Sequence, residues 1–430
     1  MIRVQGGARL SGIVKPSGAK NTTLPILAGV LLKEGEWVLN NFPLVQDTLF
    51  MITLLEELGC KVKVKKAKHQ AVIKVPTKLN ISIENNIFSS LRGSIFLLGT
   101  LLAREGEAIM PYPGGCNIGQ RPIDLHIKGL EALGVKFDLA SGLIHAKVDG
   151  KVAGRVYLDY PSVGATENLM LFASLIPGEV TIDNAAQEPQ VVDLGNFLKA
   201  SGVNIYGVGT HSIKIKGPRR FNPIMFSIPS DPLEAGTFLI ASTMTGGDIT
   251  VKDVEVKFLN PLLYKLGEVG ADVRMQNATT VRVIGKSRPQ AANIKTLPFP
   301  GFPTDLQPQM TSLLVIAEGV SLVVETVFES RLQHFRELNK MGAQVTVEGR
   351  QAIIRGVEKL QGAEVVATDI RAGSSLILAG LVAEGETKIL DDFHVHRGYE
   401  NLVEKFSNLG AKITSQIVNK EMLANEQEKV

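Results

Sequence analysis

Only two cysteines occur in the 430 residues, Cys60 and Cys116. That excludes a disulfide framework and points to a reducing compartment. No apolar run approaches the roughly 18 residues that would span a bilayer. The first ten residues, MIRVQGGARL, lack the apolar stretch of a secretory signal. Net charge is only +3 and no block of five lysines or arginines occurs, so an electrostatic nucleic-acid footprint is absent. There is no spaced Cys/His cluster to hold a metal, and His394 and His396 read as satisfied surface or core histidines. Neither a P-loop nor a Gly-x-Gly-x-x-Gly after a strand is present, which argues against ATP and dinucleotides. The expectation is a cytoplasmic protein of two or three domains, without cofactor, metal or membrane insertion.

What is present is repetition. A helix, a glycine and an alternating strand recur at Leu55–Val62, Leu130–Phe137, Leu198–Ile205, Leu266–Val273, Leu338–Val345 and Phe406–Ile413. The glycines, Gly59, Gly134, Gly202, Gly270, Gly342 and Gly410, sit where a helix C-terminus needs a left-handed residue. Before each copy comes a turn into a strand, at Gly35, Gly106, Gly178, Gly247, Gly319 and Gly385, and before each turn an apolar helix with a polar start. The unit reads strand, helix, strand, helix, strand pair, or βαβαββ, an α/β protein of six repeats. The sixth copy lacks its last strand, and the N-terminal segment from Ile2 to Gly12 parallels the segment from Ile353 to Gly362. Three repeats per domain are expected, residues 20–229 in one domain and 1–19 plus 230–430 in the other. Two proline-flanked crossings, at 16–20 and 229–232, suit a hinged cleft. The polar tail from Gln416 falls outside the repeat.

Six copies supply an internal control. Cys60 aligns with Val135, Val203, Ala271, Ala343 and Ala411, as a small core residue does. Cys116 aligns with nothing. The interval from turn glycine to helix glycine is 28 residues in the second copy and 23–25 elsewhere, and the extra residues form the loop Tyr112–Pro122 around Cys116. A loop added to one repeat is where function is added. Lys20, Arg92 and Arg371 stand at starts of apolar helices, where a cation opposes the dipole. They are well placed if an anion sits there. Arg121 and Arg397 extend the set. Asp231, Asp305 and Asp369 at the other starts are ordinary capping residues by the same criterion. The expected ligand is an anion with more than one phosphate or carboxylate.

The motifs Ser17–Asn21, Pro113–His126, Ser162–Thr166, Phe302–Gln309, Thr368–Arg371 and Arg397–Glu400 together resemble the UDP-N-acetylglucosamine 1-carboxyvinyltransferases, the enolpyruvyl transferases that open peptidoglycan synthesis. The resemblance covers roughly residues 1–415. It implies a two-domain inside-out α/β barrel and a reaction of phosphoenolpyruvate with UDP-N-acetylglucosamine that yields the 3-O-enolpyruvyl ether and phosphate. It implies Cys116 as the acid, able to form a covalent adduct, and Asp305 as base for the sugar hydroxyl. Lys20, Arg121 and Arg397 would hold the phosphate and Arg371 the carboxylate, with Asn21 and Arg92 lining the site. Arg121, Pro122, Ile123, Asp124 and Leu125 would surround the uracil, Ser162, Val163 and Gly164 would meet the diphosphate, and Val327 would lie near the sugar. Tyr160, Pro232, His396 and Gly373 depart from the family pattern. The rival readings are enolpyruvyl transfer to shikimate 3-phosphate and a non-catalytic anion-binding repeat protein. A thiol redox enzyme would need a resolving cysteine, which Cys60 does not offer.

Overall fold

The computed structural model describes residues 1–416 apart from 85, 116, 117, 141, 151, 152, 218–220 and 287. Cys116 and the tail beyond Gln416 thus lie outside the described residues.

Each repeat builds one small sheet. In the first, Gly35–Asn40 pairs antiparallel with Gln70–Val75, which pairs with Lys61–Lys65. The same arrangement recurs around Glu107–Pro111, Glu179–Asp183, Asp248–Lys252, Val320–Val324 and Glu386–Leu390. Five of the six sheets carry an outer parallel strand from the preceding unit, and in the second an isolated parallel bridge from Ser82 to Ile109 stands in its place. Gly154–Tyr157, which follows the second hairpin, pairs parallel with Glu179–Asp183 of the third sheet. Met225–Ser227, which follows the third, returns to pair parallel with Gly35–Asn40 of the first. Three units therefore close into a ring.

The second ring closes through the start of the chain. Ile2–Gln5 lies between Glu386–Leu390 and Lys412–Ser415, antiparallel to both, the position that Gln351–Arg355 holds in the fifth sheet. Ser11–Val14 then pairs parallel with Asp248–Lys252 of the fourth sheet. The strand missing from the sixth repeat is thus supplied from Ile2–Gln5. The two passages between rings run side by side: Asp231 N donates to Ser17 O at 2.8 Å and Ala19 N to Pro229 O at 2.8 Å.

Two helices per unit have different jobs. The first is buried nearly all round, as in Phe96–Glu105, Pro232–Met244 and Ile370–Val382. Such helices have apolar residues on every face and belong in the interior. The second is amphipathic and lies over the sheet, as in Asp124–Glu131 and Asn260–Glu268. Buried residues fall into two separate cores, one spanning Leu24–Ile228 and the other Ile2–Val14 with Ala235–Ile413. The six helix-end glycines all take positive φ, from 89° at Gly342 to 112° at Gly202. Cys60 is buried, and burial pushes its thiol up to about 12, so it is inert at neutral pH.

Candidate active site

The buried helices of both rings bring their first turns toward the seam between them. Ser162, Asp231 and Asp369 cap their helices conventionally. Ser162 Oγ accepts from Ala165 N at 3.3 Å, Asp231 Oδ1 from Leu233 N at 2.7 Å, and Asp369 Oδ1 from Arg371 N at 2.9 Å. Helix Lys20–Gly29 and the turn Arg92–Ile95 have no side-chain cap, so these two cation-bearing starts keep their backbone N–H groups unclaimed by side chains. Pro232 occupies the first position of its helix, where its missing N–H costs nothing.

Two carboxylates, buried Asp47 and partly buried Asp305, organise the cations. Asp47 Oδ2 accepts from Lys20 Nζ at 3.0 Å and Asp47 Oδ1 from Arg397 Nε at 2.8 Å. Arg397 also donates from Nη2 to Ser90 O at 3.1 Å, which ties the second ring to the first. Burial alone would raise the Asp47 carboxyl, but Lys20 and Arg397 outweigh it and hold the group below its ordinary value. Asp305 accepts from Arg331 Nη1 at 2.7 Å, from Arg371 Nη2 at 3.1 Å and from Asn21 Nδ2 at 3.5 Å. Burial again opposes ionisation, and Arg331 and Arg371 overcome it, so Asp305 stays ionised far below the usual carboxylate range. Arg371 is 2 % exposed, packs over the Tyr399 ring at 5.2 Å, and its Nη1 has no hydrogen-bond partner among the described residues.

The cysteine loop lies beside this pair. Arg92 Nη2 donates to Pro122 O at 3.0 Å, and burial, then the charge of Arg121, draws the Arg92 guanidinium down to about 10. A Cβ on Gly115 would stand 3.1 Å from Arg92 Cβ and 3.2 Å from an Arg121 guanidinium nitrogen, so Gly115 leaves room for both arginines. Arg121 also lies over the Phe328 ring at 5.4 Å. The loop meets the second ring directly: Gln120 N donates to Glu329 Oε1 at 2.5 Å and Ser330 N to Ile118 O at 3.2 Å. Val327 is held by its N–H to buried Glu325 at 2.8 Å.

Downstream, Asp124 and Leu125 open helix Asp124–Glu131, with buried Ile123 preceding it. His126 turns inward. Asn168 Oδ1 accepts from Gly99 N at 2.7 Å, which orients the amide so that its Nδ2 donates to His126 Nδ1 at 3.0 Å. The imidazole proton therefore sits on Nε2, the atom 3.2 Å from where a Cβ on Gly164 would lie. Burial, then Arg92, pulls His126 down to about 3, so the ring is neutral.

Lys20 and Arg397 are thus joined through Asp47, and Asn21 and Arg371 through Asp305. Arg92, Arg121 and Pro122 form the adjoining group, and Ser162–Gly164 borders it through His126. Asp47, Arg331, Glu329 and His126 carry much of this geometry and were not singled out from the sequence. Asp47 looks like a routine first-turn acid, and Arg331 lies in a turn that no repeat comparison marks. Among the described residues, no group of three or more His, Cys, Asp or Glu is arranged to hold a metal, and no helix is long and apolar enough to cross a membrane.

The EPSP synthase (3-phosphoshikimate 1-carboxyvinyltransferase) family model matches residues 4–406. A UDP-N-acetylglucosamine 1-carboxyvinyltransferase of Coprothermobacter proteolyticus is 48% identical over 423 residues, covering 98% of each chain. One of Carboxydothermus hydrogenoformans is 48% identical over 413 residues, covering 95% of this chain and 98% of the relative. Among solved structures, the enolpyruvyl transferase NikO from Streptomyces tendae superposes with a TM-score of 0.86 at 23% identity, covering 96% of this chain and 98% of its own. EPSP synthase from Acinetobacter baumannii gives 0.74 at 19%, covering 97% and 100%. At those identities the structural likeness speaks to the fold alone.

Proposed function

The chain belongs to the EPSP synthase family of enolpyruvyl transferases, and we propose that it moves the enolpyruvyl group of phosphoenolpyruvate to the 3-hydroxyl of UDP-N-acetylglucosamine in peptidoglycan precursor synthesis, in the cytoplasm. The observation that carries this reading is the convergence of Lys20, Arg371 and Arg397 on the carboxylates of Asp47 and Asp305 at the seam between the rings. That arrangement suits a small substrate carrying both a phosphate and a carboxylate. The unpartnered Arg371 Nη1 suits the carboxylate. Lys20, Arg121 and Arg397 suit the phosphate. Arg121–Leu125 and Ser162–Gly164 flank His126 and suit the nucleotide, with uracil at the first and diphosphate at the helix N-terminus.

The chemistry is addition followed by elimination. The sugar oxygen bonds to C2 of phosphoenolpyruvate while C3 takes a proton from the Cys116 thiol. C3 then gives a proton back and phosphate leaves C2. Asp305 takes the hydroxyl proton. Its depressed pKa makes it a weak base, so transfer occurs as the C–O bond forms and the hydroxyl acidifies. The role of Cys116, including a covalent adduct with phosphoenolpyruvate, rests on the sequence of its loop. Residues 20–229 and 1–19 plus 230–430 act as two domains that close over the substrates.

The test is phosphate release from phosphoenolpyruvate with UDP-N-acetylglucosamine or shikimate 3-phosphate as acceptor. Release with the nucleotide sugar alone is expected. Release only with shikimate 3-phosphate, or with neither, overturns the assignment.

A further inference from the structure

We propose that Asp47 is a positioning residue for the phosphate subsite: its single carboxylate sets Lys20 and Arg397 in the register in which both meet the phosphate. The inference rests on the enolpyruvyl transfer proposed above.

The bland explanation of Asp47 is its place in the first turn of helix Gln46–Glu57, where an acidic side chain suits the dipole. That does not explain where the oxygens point. Oδ2 is 3.0 Å from Lys20 Nζ and Oδ1 is 2.8 Å from Arg397 Nε. All three residues are buried: Asp47 is 3 % exposed, and Lys20 and Arg397 are each 8 % exposed. Charge-assisted bonds at these distances are short and directional, and burial strengthens them.

The sequence separation adds a second argument. Asp47 and Lys20 belong to the first ring, whereas Arg397 lies 350 residues from Asp47 on the helix Phe393–Gly398 of the second. Arg397 therefore reaches Lys20 only when the rings meet, and Asp47 is the group that receives it. The Nε bond fixes the plane of the guanidinium, and the Nη2 bond to Ser90 O fixes its rotation. Without a carboxylate between them, the two cations would repel at close range. With it, the trio still carries one net positive charge toward an incoming anion.

Two electrostatic effects oppose each other, so the sign of the outcome is informative. At long range the Asp47 charge repels phosphate, and removing it would tighten binding. At short range it positions both donors, and removing it loosens binding. The short, buried geometry makes the second effect the larger.

Asp47→Asn and Asp47→Glu in the full chain test this by KM for each substrate, calorimetric binding of inorganic phosphate, and melting temperature. Asp47→Asn is expected to raise KM for phosphoenolpyruvate and weaken phosphate binding about 10–100-fold, the range for one lost charge-assisted bond. KM for UDP-N-acetylglucosamine should stay within about twofold. Asp47→Glu, which keeps the charge one methylene further out, should fall between wild type and Asp47→Asn. Tighter phosphate binding by Asp47→Asn overturns the proposal, as does a parallel rise in both KM values with a lowered melting temperature. If Asp47→Asn does not fold, Asp47→Glu decides, and an unchanged or tightened phosphate affinity counts against positioning. A wild-type protein that binds phosphate without turning over UDP-N-acetylglucosamine would sink the enzymatic reading and still leave the phosphate measurement to judge Asp47.

Discussion

Asp305 Oδ1 lies 2.7 Å from Nη1 of Arg331, a residue whose part in the site only the folded chain exposes. The pair sets the protonation state of the proposed base. Arg331 and Arg371 hold wild-type Asp305 ionised well below the usual carboxylate range, so no acid limb from it is expected between pH 5 and 9. Arg331→Met leaves burial opposed mainly by Arg371, so the carboxyl pKa rises. The expected outcome is a new acid limb in kcat/KM, lost as pH falls, whereas Asp305→Asn should lose roughly 10²–10⁴-fold at all pH values. Steady-state kinetics between pH 5 and 9 check both.

Cys116→Ala should leave the fold intact and reduce turnover by about 10²–10⁴, the usual contribution of a general acid. Fosfomycin, a phosphonate epoxide, should add once to wild type, at Cys116, faster in the presence of UDP-N-acetylglucosamine. Intact-protein mass spectrometry reads the adduct. Addition at Cys60, whose thiol is buried, would contradict the assignment.

Gly119 takes φ of 130°, and a Cβ there would come within 2.6 Å of the Glu329 carboxylate on the other ring. Gly119→Ala should therefore strain the backbone at this φ and push Glu329 off its bond to Gln120 N, loosening the seating of the cysteine loop against residues 328–331. X-ray scattering with saturating nucleotide sugar is expected to show a compact wild type and a more open variant.

Gly373 faces the helix that carries Arg397: a Cβ at 373 would stand 2.6 Å from Val395 Cγ2. Gly373→Ser should overpack this chain by about 1–3 kcal/mol unless Val395 is reduced too. Urea unfolding of Gly373→Ser and of Gly373→Ser with Val395→Ala checks the pairing.

His126 is neutral in the fold, with its pKa drawn down to about 3 by burial and then by Arg92. The unfolded chain takes up a proton near pH 6.5 and the folded one does not, so the contribution to stability is full above that pH and is lost as pH falls toward 3. Between pH 7 and 5 the loss attributable to His126 is about 2 kcal/mol. Denaturant unfolding of His126→Gln at both values should show a correspondingly shallower pH dependence than wild type.

The repeats were legible because each is punctuated locally. A glycine at φ near 100° closing a helix is a demand of the backbone itself, and it recurs at Gly59, Gly134, Gly202, Gly270, Gly342 and Gly410. The parallel between the segments beginning at Ile2 and Ile353 was legible for a similar reason, since strand alternation and the glycine after it are written in sequence order. Asp47 and Arg331 were not legible, because an acid in a first turn and an arginine in a turn each have an ordinary local explanation.

By itself, the sequence determined the unit, its six copies, the loop inserted around Cys116 and the cations standing at helix starts that favour anions. All of these follow from backbone conformation and dipole direction within a few residues. Only the tertiary structure decided which charge answers which. Asp47 meets Arg397 across 350 residues and Asp305 meets Arg371 across 66. The first pairing depends on the two rings meeting and the second on helices of one ring packing together, and nothing local to either partner encodes the few ångströms that separate them.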